Sequence, residues 1–187
     1  MKYFLRLLKN LDKSILLIVG VLSVISLTMI SSTAYSGGFV INRDIIIQAL
    51  AYFLGFIAII FLIFLDYKLF PQFEKIIYAL SVIFLLTVYI PGLGKEQYGA
   101  RSWIEITTLQ PSEFVKITFI ILMAIYFSKH RDDLATFTGV FKSLLYASPI
   151  ILIILKEDLG SAIVFCAIFV IMLFYAGIDY KIFGKLA

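Results

Sequence analysis

From Ser14 to Asn42 the chain carries no charged residue, and Ile45–Leu65 is a second uncharged run of 21 residues. At about 1.5 Å of rise per residue, a helix of roughly 20 residues matches the ~30 Å hydrocarbon layer of a bilayer. Such runs can sit in lipid only if every backbone N–H and C=O is satisfied within the segment, which a helix achieves. The runs are continuous and lack the alternation of barrel strands, which favours the helical type over a β-barrel. Composition agrees: 62% of residues are hydrophobic and 15% charged, against roughly 45–50% and 25% in soluble domains. The chain is therefore read as an all-α polytopic membrane protein. The basic N-terminus before an apolar run looks like a signal peptide, but the Ser14–Asn42 stretch is far longer than a 7–15-residue signal core. It is expected to remain as an uncleaved first span.

Charges and turn residues divide the chain into about six expected spans: 15–30, 45–65, 76–90, 111–128, 137–155 and 159–178. Ser31–Gly38 and Asp66–Lys75 are polar connections, the latter containing Pro71. Pro91-Gly-Leu-Gly94 is a strong helix stop. The loop 91–110, amphipathic and glycine-bearing, is expected to lie along the interface or dip back into the bilayer. Ser143–Leu155 is short, so span five is expected to start near Phe137, with Lys142 snorkelling to the interface.

Orientation follows from basic residues. With the N-terminus inside, the inner segments hold Lys2, Arg6, Lys9, Lys13, Lys68, Lys75, Lys129, Arg131, Lys142, Lys181 and Lys185. The outer segments hold only Arg43, Lys95, Arg101 and Lys156. This bias is a positive-inside signal. It places Arg101, Trp103, Glu113, Lys116 and Asp158 on the outer side. The net charge of +4 does not point to nucleic acid, because the basic residues flank spans rather than forming a patch.

The polar residues concentrate in Gly99-Ala-Arg-Ser-Trp-Ile104 and Gln110-Pro-Ser-Glu-Phe-Val-Lys116. Only 12 uncharged residues separate Lys116 from Lys129, about 18 Å of helix. A spanning helix must therefore begin near Pro111 and carry Glu113 and Lys116 into the membrane, where charge is costly and marks function by default. A plainer reading stays open: Pro111 suits the first helical position, Glu113 the third, and Lys116 pairs with Glu113 one turn on. Asp158 likewise fits a helix N-cap before Leu159-Gly-Ser161. It could also join Glu113 and Lys116 in one outer cavity. Trp103 fits an interfacial anchor as well as a site residue, and Arg101 fits a solvated loop charge as well as a phosphate contact.

Other chemistry finds no support. Cys166 is the only cysteine and His130 the only histidine, which leaves no disulfide, no histidine/cysteine metal site and no Ser-His-Asp triad. No phosphate-binding glycine loop or tandem repeat is evident.

Taken in order, Gly-Ala-Arg-Ser-Trp-Ile, Gln-Pro-Ser-Glu-x-x-Lys and Asp158-Leu-Gly-Ser-Ala162 resemble the SEDS family (shape, elongation, division and sporulation proteins) typified by RodA and FtsW. Leu65-Asp-Tyr67 and Ala176-Gly-Ile178 extend the likeness along the whole chain. The short N-terminus and the Ala-Gly-Ile ending resemble RodA somewhat more than FtsW. The resemblance implies a peptidoglycan glycosyltransferase that polymerises lipid II at the outer face of the bacterial cytoplasmic membrane, beside a class B penicillin-binding protein. It maps the family's intramembrane Glu, Lys and Asp onto Glu113, Lys116 and Asp158, and the motif tryptophan onto Trp103. A divalent cation (Mg or Mn) is associated with that reaction, and no motif here identifies its ligands. Two departures stand out. Lys156-Glu157 replaces the Gln-Pro that commonly precedes Asp-Leu-Gly. The family also has about ten spans and a presumed catalytic aspartate in an outer loop after span seven, beyond Ala187. This chain is thus expected to be the N-terminal part of such a protein and inactive alone. Two other functions compete: a flippase or transporter for a lipid-linked sugar, and a non-catalytic membrane partner of a penicillin-binding protein.

Overall fold

A computed structural model describes residues 12–33, 43–97, 100–104 and 109–178. The segments 34–42, 98–99, 105–108 and 179–187 and the first eleven residues lie outside that description, and with them the first loop and the basic residues Lys2, Arg6, Lys9, Lys181 and Lys185.

The described residues form six α-helices. These are α1 (Lys13–Thr33), α2 (Arg43–Phe64), α3 (Glu74–Leu86), α4 (Pro111–Lys129), α5 (Phe137–Glu157) and α6 (Leu159–Tyr175). Four of them, α1, α2, α4 and α5, are long and apolar enough to cross a membrane. Of the two shorter helices, α6 has 17 residues, at the lower limit for a span. The other, α3, has 13 and is continued by the 3-10 turn Thr87–Tyr89. The chain is an all-α, multi-pass membrane protein.

Two compact units divide it, one up to Tyr67 and one from Lys68 onward. The first holds α1 and α2. Asp12 caps α1 by accepting the Ser14 N–H at 2.8 Å, the pattern of an N-cap carboxylate. Both helices are apolar all round, and only 6% of each spanning window is buried, as suits helices whose solvent is lipid. Their few hydroxyls turn back on the helix: Ser23 donates to the Val19 carbonyl at 2.8 Å and Thr28 to that of Ile25 at 2.7 Å.

In the second unit α4 is central, touching α3, α5 and α6. Phe119, Leu122 and Met123 of α4 are fully buried, with Leu85, Ile150 and Phe165 from its three neighbours. Phe119 packs on Phe165 with ring centroids 5.0 Å apart, and Phe127 on Phe169 at 6.0 Å. Ser81 of α3 meets Thr118 of α4 through their hydroxyls at 2.7 Å. Inside α5, Pro149 cannot donate to the carbonyl of Leu145. The Ser148 hydroxyl takes that place, donating to the Leu145 carbonyl at 3.0 Å. The freed carbonyl stays satisfied at membrane depth, which is what permits a proline there.

The loop between α3 and α4 contains a feature that the apolar pattern does not foretell: an antiparallel hairpin of β1 (Gly94–Gln97) and β2 (Ala100–Ile104). Gly94 pairs with Ile104, Lys95 with Trp103 and Gln97 with Ala100, with an irregularity between Lys95 and Gln97. The Ile104 N–H also donates to the Leu109 carbonyl at 2.8 Å. Gly94 is required by close approach, since a Cβ there would fall 1.8 Å from the Val88 carbonyl oxygen. The hairpin thus seats tightly on the end of the α3 extension. It also reaches α4 and α5 through β2.

Candidate functional site

Pro111 occupies the first turn of α4, where its missing N–H costs nothing. Gln110 precedes it in an extended conformation and supplies no side-chain cap. That leaves first-turn N–H groups and the positive end of the helix without a side-chain acceptor at the N-cap. The Ser112 side chain is buried, and its Oγ has no hydrogen-bond partner among the described residues. The 19 residues of α4 reach about 28 Å, barely the hydrocarbon thickness. If α4 crosses, Glu113 and Lys116 therefore sit about 3 and about 8 Å from the start of the helix, near the membrane edge.

Lys116 donates to Glu113 Oε1 at 2.9 Å, one turn along the same helix. The exposures are unequal: 27% for the Lys116 side chain and 56% for Glu113. The Lys116 side chain is thus the more covered of the two. An exposed pair of this kind contributes at most about 1 kcal/mol to stability.

Asp158 lies in the turn between α5 and α6 and acts as the N-cap of α6. It accepts the Gly160 N–H at 2.9 Å and the Ser161 hydroxyl at 2.6 Å. The Ser161 hydrogen bond, helped by the Gly160 and Ser161 backbone N–H groups, holds its carboxyl below the usual range despite partial burial. No ion pair joins it to Lys116: among the described residues the ion pairs are Glu113–Lys116 and Glu74–Lys129. Glu113 and Lys116 come together, and Asp158 makes its hydrogen bonds with Gly160 and Ser161 at the start of α6.

Trp103 lies in β2, opposite Lys95 in register and 38% exposed, while the adjacent Ser102 is buried. Arg101 is in β2 as well, and its side chain lies outside the described residues. Tyr98 and Gly99 are likewise outside it.

The pair that replaces Gln-Pro has contacts of its own. Lys156 Nζ sits over the Tyr89 ring, 4.9 Å from its centroid, a cation–π geometry. The Glu157 carboxylate lies beside the Tyr89 hydroxyl, yet Glu157 Oε1 and Tyr89 Oη are both shielded from water without a hydrogen bond of ordinary geometry. Tyr89 has no spacing signal that links it to Glu157, 68 residues on, so no sequence pattern marks this corner.

At the other end of the bundle a second polar cluster joins three helices. Glu74, first residue of α3, takes Lys129 Nζ at 2.5 Å and the Tyr146 hydroxyl at 3.0 Å. Tyr146 stacks on Tyr126, which stacks on His130, at 4.6 and 4.4 Å between centroids. This cluster is fully partnered and reads as structural.

No group of three or more His, Cys, Asp or Glu side chains converges among the described residues.

Residues 9–187 match the family model of FtsW, RodA and SpoVE, described as cell cycle proteins. Among relatives, the chain is 28% identical over 185 residues to a "Probable peptidoglycan glycosyltransferase FtsW" of Geobacter sp. (strain M18), covering 92% of this chain and 49% of the relative. It is 32% identical over 164 residues to the protein of that name in Geobacter sulfurreducens, covering 84% of this chain and 43% of the relative. Against "Stage V sporulation protein E" of Bacillus subtilis it is 31% identical over 128 residues, 66% of this chain and 35% of the relative. The chain spans about half the length of the first of these and less of the others. The relatives carry FtsW and SpoVE names, so the closer likeness to RodA gains no support from them. With its motifs spread along the whole matched length, the chain belongs to the FtsW/RodA/SpoVE family, the SEDS proteins.

Proposed function

We propose that this chain supplies the substrate-holding part of a peptidoglycan glycosyltransferase that polymerises lipid II, the lipid-linked disaccharide pyrophosphate, at the outer face of the bacterial cytoplasmic membrane. The observation that carries the reading is the start of α4. There a partly covered Lys116 side chain paired with Glu113, a buried hydroxyl with no hydrogen bond among the described residues and a helix start without a side-chain cap lie within the first six residues of the helix. Each favours an anion, and together they suit a pyrophosphate held at the bilayer surface while its lipid tail stays in the membrane.

In this reading Lys116 stabilises the charge that develops on the leaving pyrophosphate. Glu113 orients Lys116, Asp158 fixes the α5–α6 corner, and Trp103 and Arg101 lie in the hairpin whose second strand reaches α4. The acceptor hydroxyl also needs a base. The family resemblance puts that carboxylate in an outer loop outside these 187 residues. A class B penicillin-binding protein is the proposed partner, and the N-terminus is proposed to face the cytoplasm, in keeping with the positive-inside bias. The elongation role rests on Ala176-Gly-Ile178; the FtsW and SpoVE names of the relatives make division and sporulation the roles to test against it.

The test is glycan polymerisation by a protein of full family length carrying Lys116→Ala. Loss of transition-state electrostatics of this kind costs about 10²–10³ in rate. Polymerisation near wild-type rate would remove Lys116 from the site. Movement of substrate between leaflets without polymer formation would indicate a flippase instead.

A further inference from the structure

A pocket of about 440 Å³ opens between the C-terminal ends of α4 and α6, at the end of the bundle opposite Glu113. Its apolar wall is made of Phe127, Met172 and the small side chains of Ala124 and Ala176, and its rim of Ser128, Arg131 and Tyr175. Phe127 is buried and Tyr175 is 85% exposed, so the pocket grades from core to surface. The Arg131 guanidinium has no ion pair or hydrogen bond among the described residues, and neither the Ser128 nor the Tyr175 hydroxyl has a hydrogen bond there. Lys129, two residues away, is committed to Glu74.

A planar cation and two hydroxyls, all without a partner among the described residues, meet an apolar wall where a span leaves the membrane. From this we propose a binding site for one glycerophospholipid of that leaflet. Arg131 takes the phosphate through paired N–H groups, with Ser128 and Tyr175 as further donors. An acyl chain lies along Phe127 and Met172. Basic pockets between spanning helices hold lipid headgroups in this way. Two features oppose a purely electrostatic site. Asp132 and Asp133 follow Arg131 in sequence, and both helices present their negative ends here. Phosphate alone should therefore bind weakly, and recognition should need headgroup and chain together.

Native mass spectrometry of the detergent-purified chain, with phosphatidylglycerol, diacylglycerol or soluble glycerol phosphate added, tests this. One phosphatidylglycerol should be retained, while diacylglycerol and glycerol phosphate are not. Arg131→Ala should cut retention about tenfold and Arg131→Lys less, with helicity by circular dichroism unchanged in both. Equal retention of diacylglycerol, binding of glycerol phosphate alone, or undiminished retention by Arg131→Ala would each overturn the proposal.

Discussion

Lys116 Nζ lies 2.9 Å from Glu113 Oε1 across one turn of α4, with the Lys116 side chain roughly half as exposed as that of Glu113. A pair placed for helix stability alone gains little from this asymmetry, because its partner stands in solvent. Glu113→Gln should therefore change unfolding stability by no more than about 0.5 kcal/mol. In the full-length protein it should still lower polymerisation, by freeing Lys116 from its orientation. Thermal unfolding and polymerisation rate, measured on the same preparation, separate the two effects.

Asp158 contributes stability with a definite pH sign. Its carboxyl is held below the ordinary range, first by the Ser161 hydroxyl. The contribution is thus complete above the unfolded value near 3.9 and disappears as pH falls through the folded one. Asp158→Ala should cost about 1 kcal/mol near neutrality, the usual loss of an N-cap. Asp158→Asn should cost less, since Asn also caps. The difference between wild type and Asp158→Ala, followed by thermal unfolding from pH 7 to pH 3, should shrink below pH 4.

Glu157 and Tyr89 predict a stabilising substitution. A shielded carboxylate oxygen without a hydrogen bond costs free energy in the folded state. Glu157→Gln keeps the shape, removes the charge and gives the Tyr89 oxygen a donor. The expected gain is about 0.5–1 kcal/mol at pH 7–8, visible as a higher denaturation temperature. A loss of stability would show that the carboxylate is already well served.

Gly94 offers a test of the hairpin. A Cβ would meet the Val88 carbonyl oxygen at 1.8 Å, a backbone atom that cannot swing aside. Gly94→Ala should displace β1 from the end of α3 and cost about 1–3 kcal/mol. Trp103 is the only tryptophan and pairs next to Gly94 in register. Its emission maximum should shift in Gly94→Ala, whereas Gly20→Ala, with open space around its Cβ, should leave it alone.

What could be read in the chain and what could not divide along one physical line. The helical membrane class follows from uncharged runs, because period and length are local properties. Pro111 as the first residue of α4 and Asp158 as the cap of α6 are local signals too: each depends on residues within three positions. The hairpin at Gly94–Ile104 escaped because Lys95-Glu-Gln-Tyr98 has no apolar alternation; its seating comes from contact with the α3 extension. The Glu74–Lys129–Tyr146 cluster and the Tyr89–Glu157 corner join residues 55 to 72 apart, a distance no spacing rule covers. The outer cavity of Glu113, Lys116 and Asp158 was a three-body expectation of the same long-range kind. Among the described residues its ion pair forms only within α4, and Asp158 spends its oxygens on its own helix.

The account stands most directly on pyrophosphate binding at the start of α4. Equilibrium binding of the lipid-linked disaccharide pyrophosphate to a protein of full family length, wild type against Lys116→Ala, measures it. The predicted result is at least a tenfold weaker affinity for Lys116→Ala, with Lys116→Arg intermediate and the lipid-linked alcohol lacking phosphate bound weakly by all three. Equal affinity of wild type and Lys116→Ala for the pyrophosphate would contradict it.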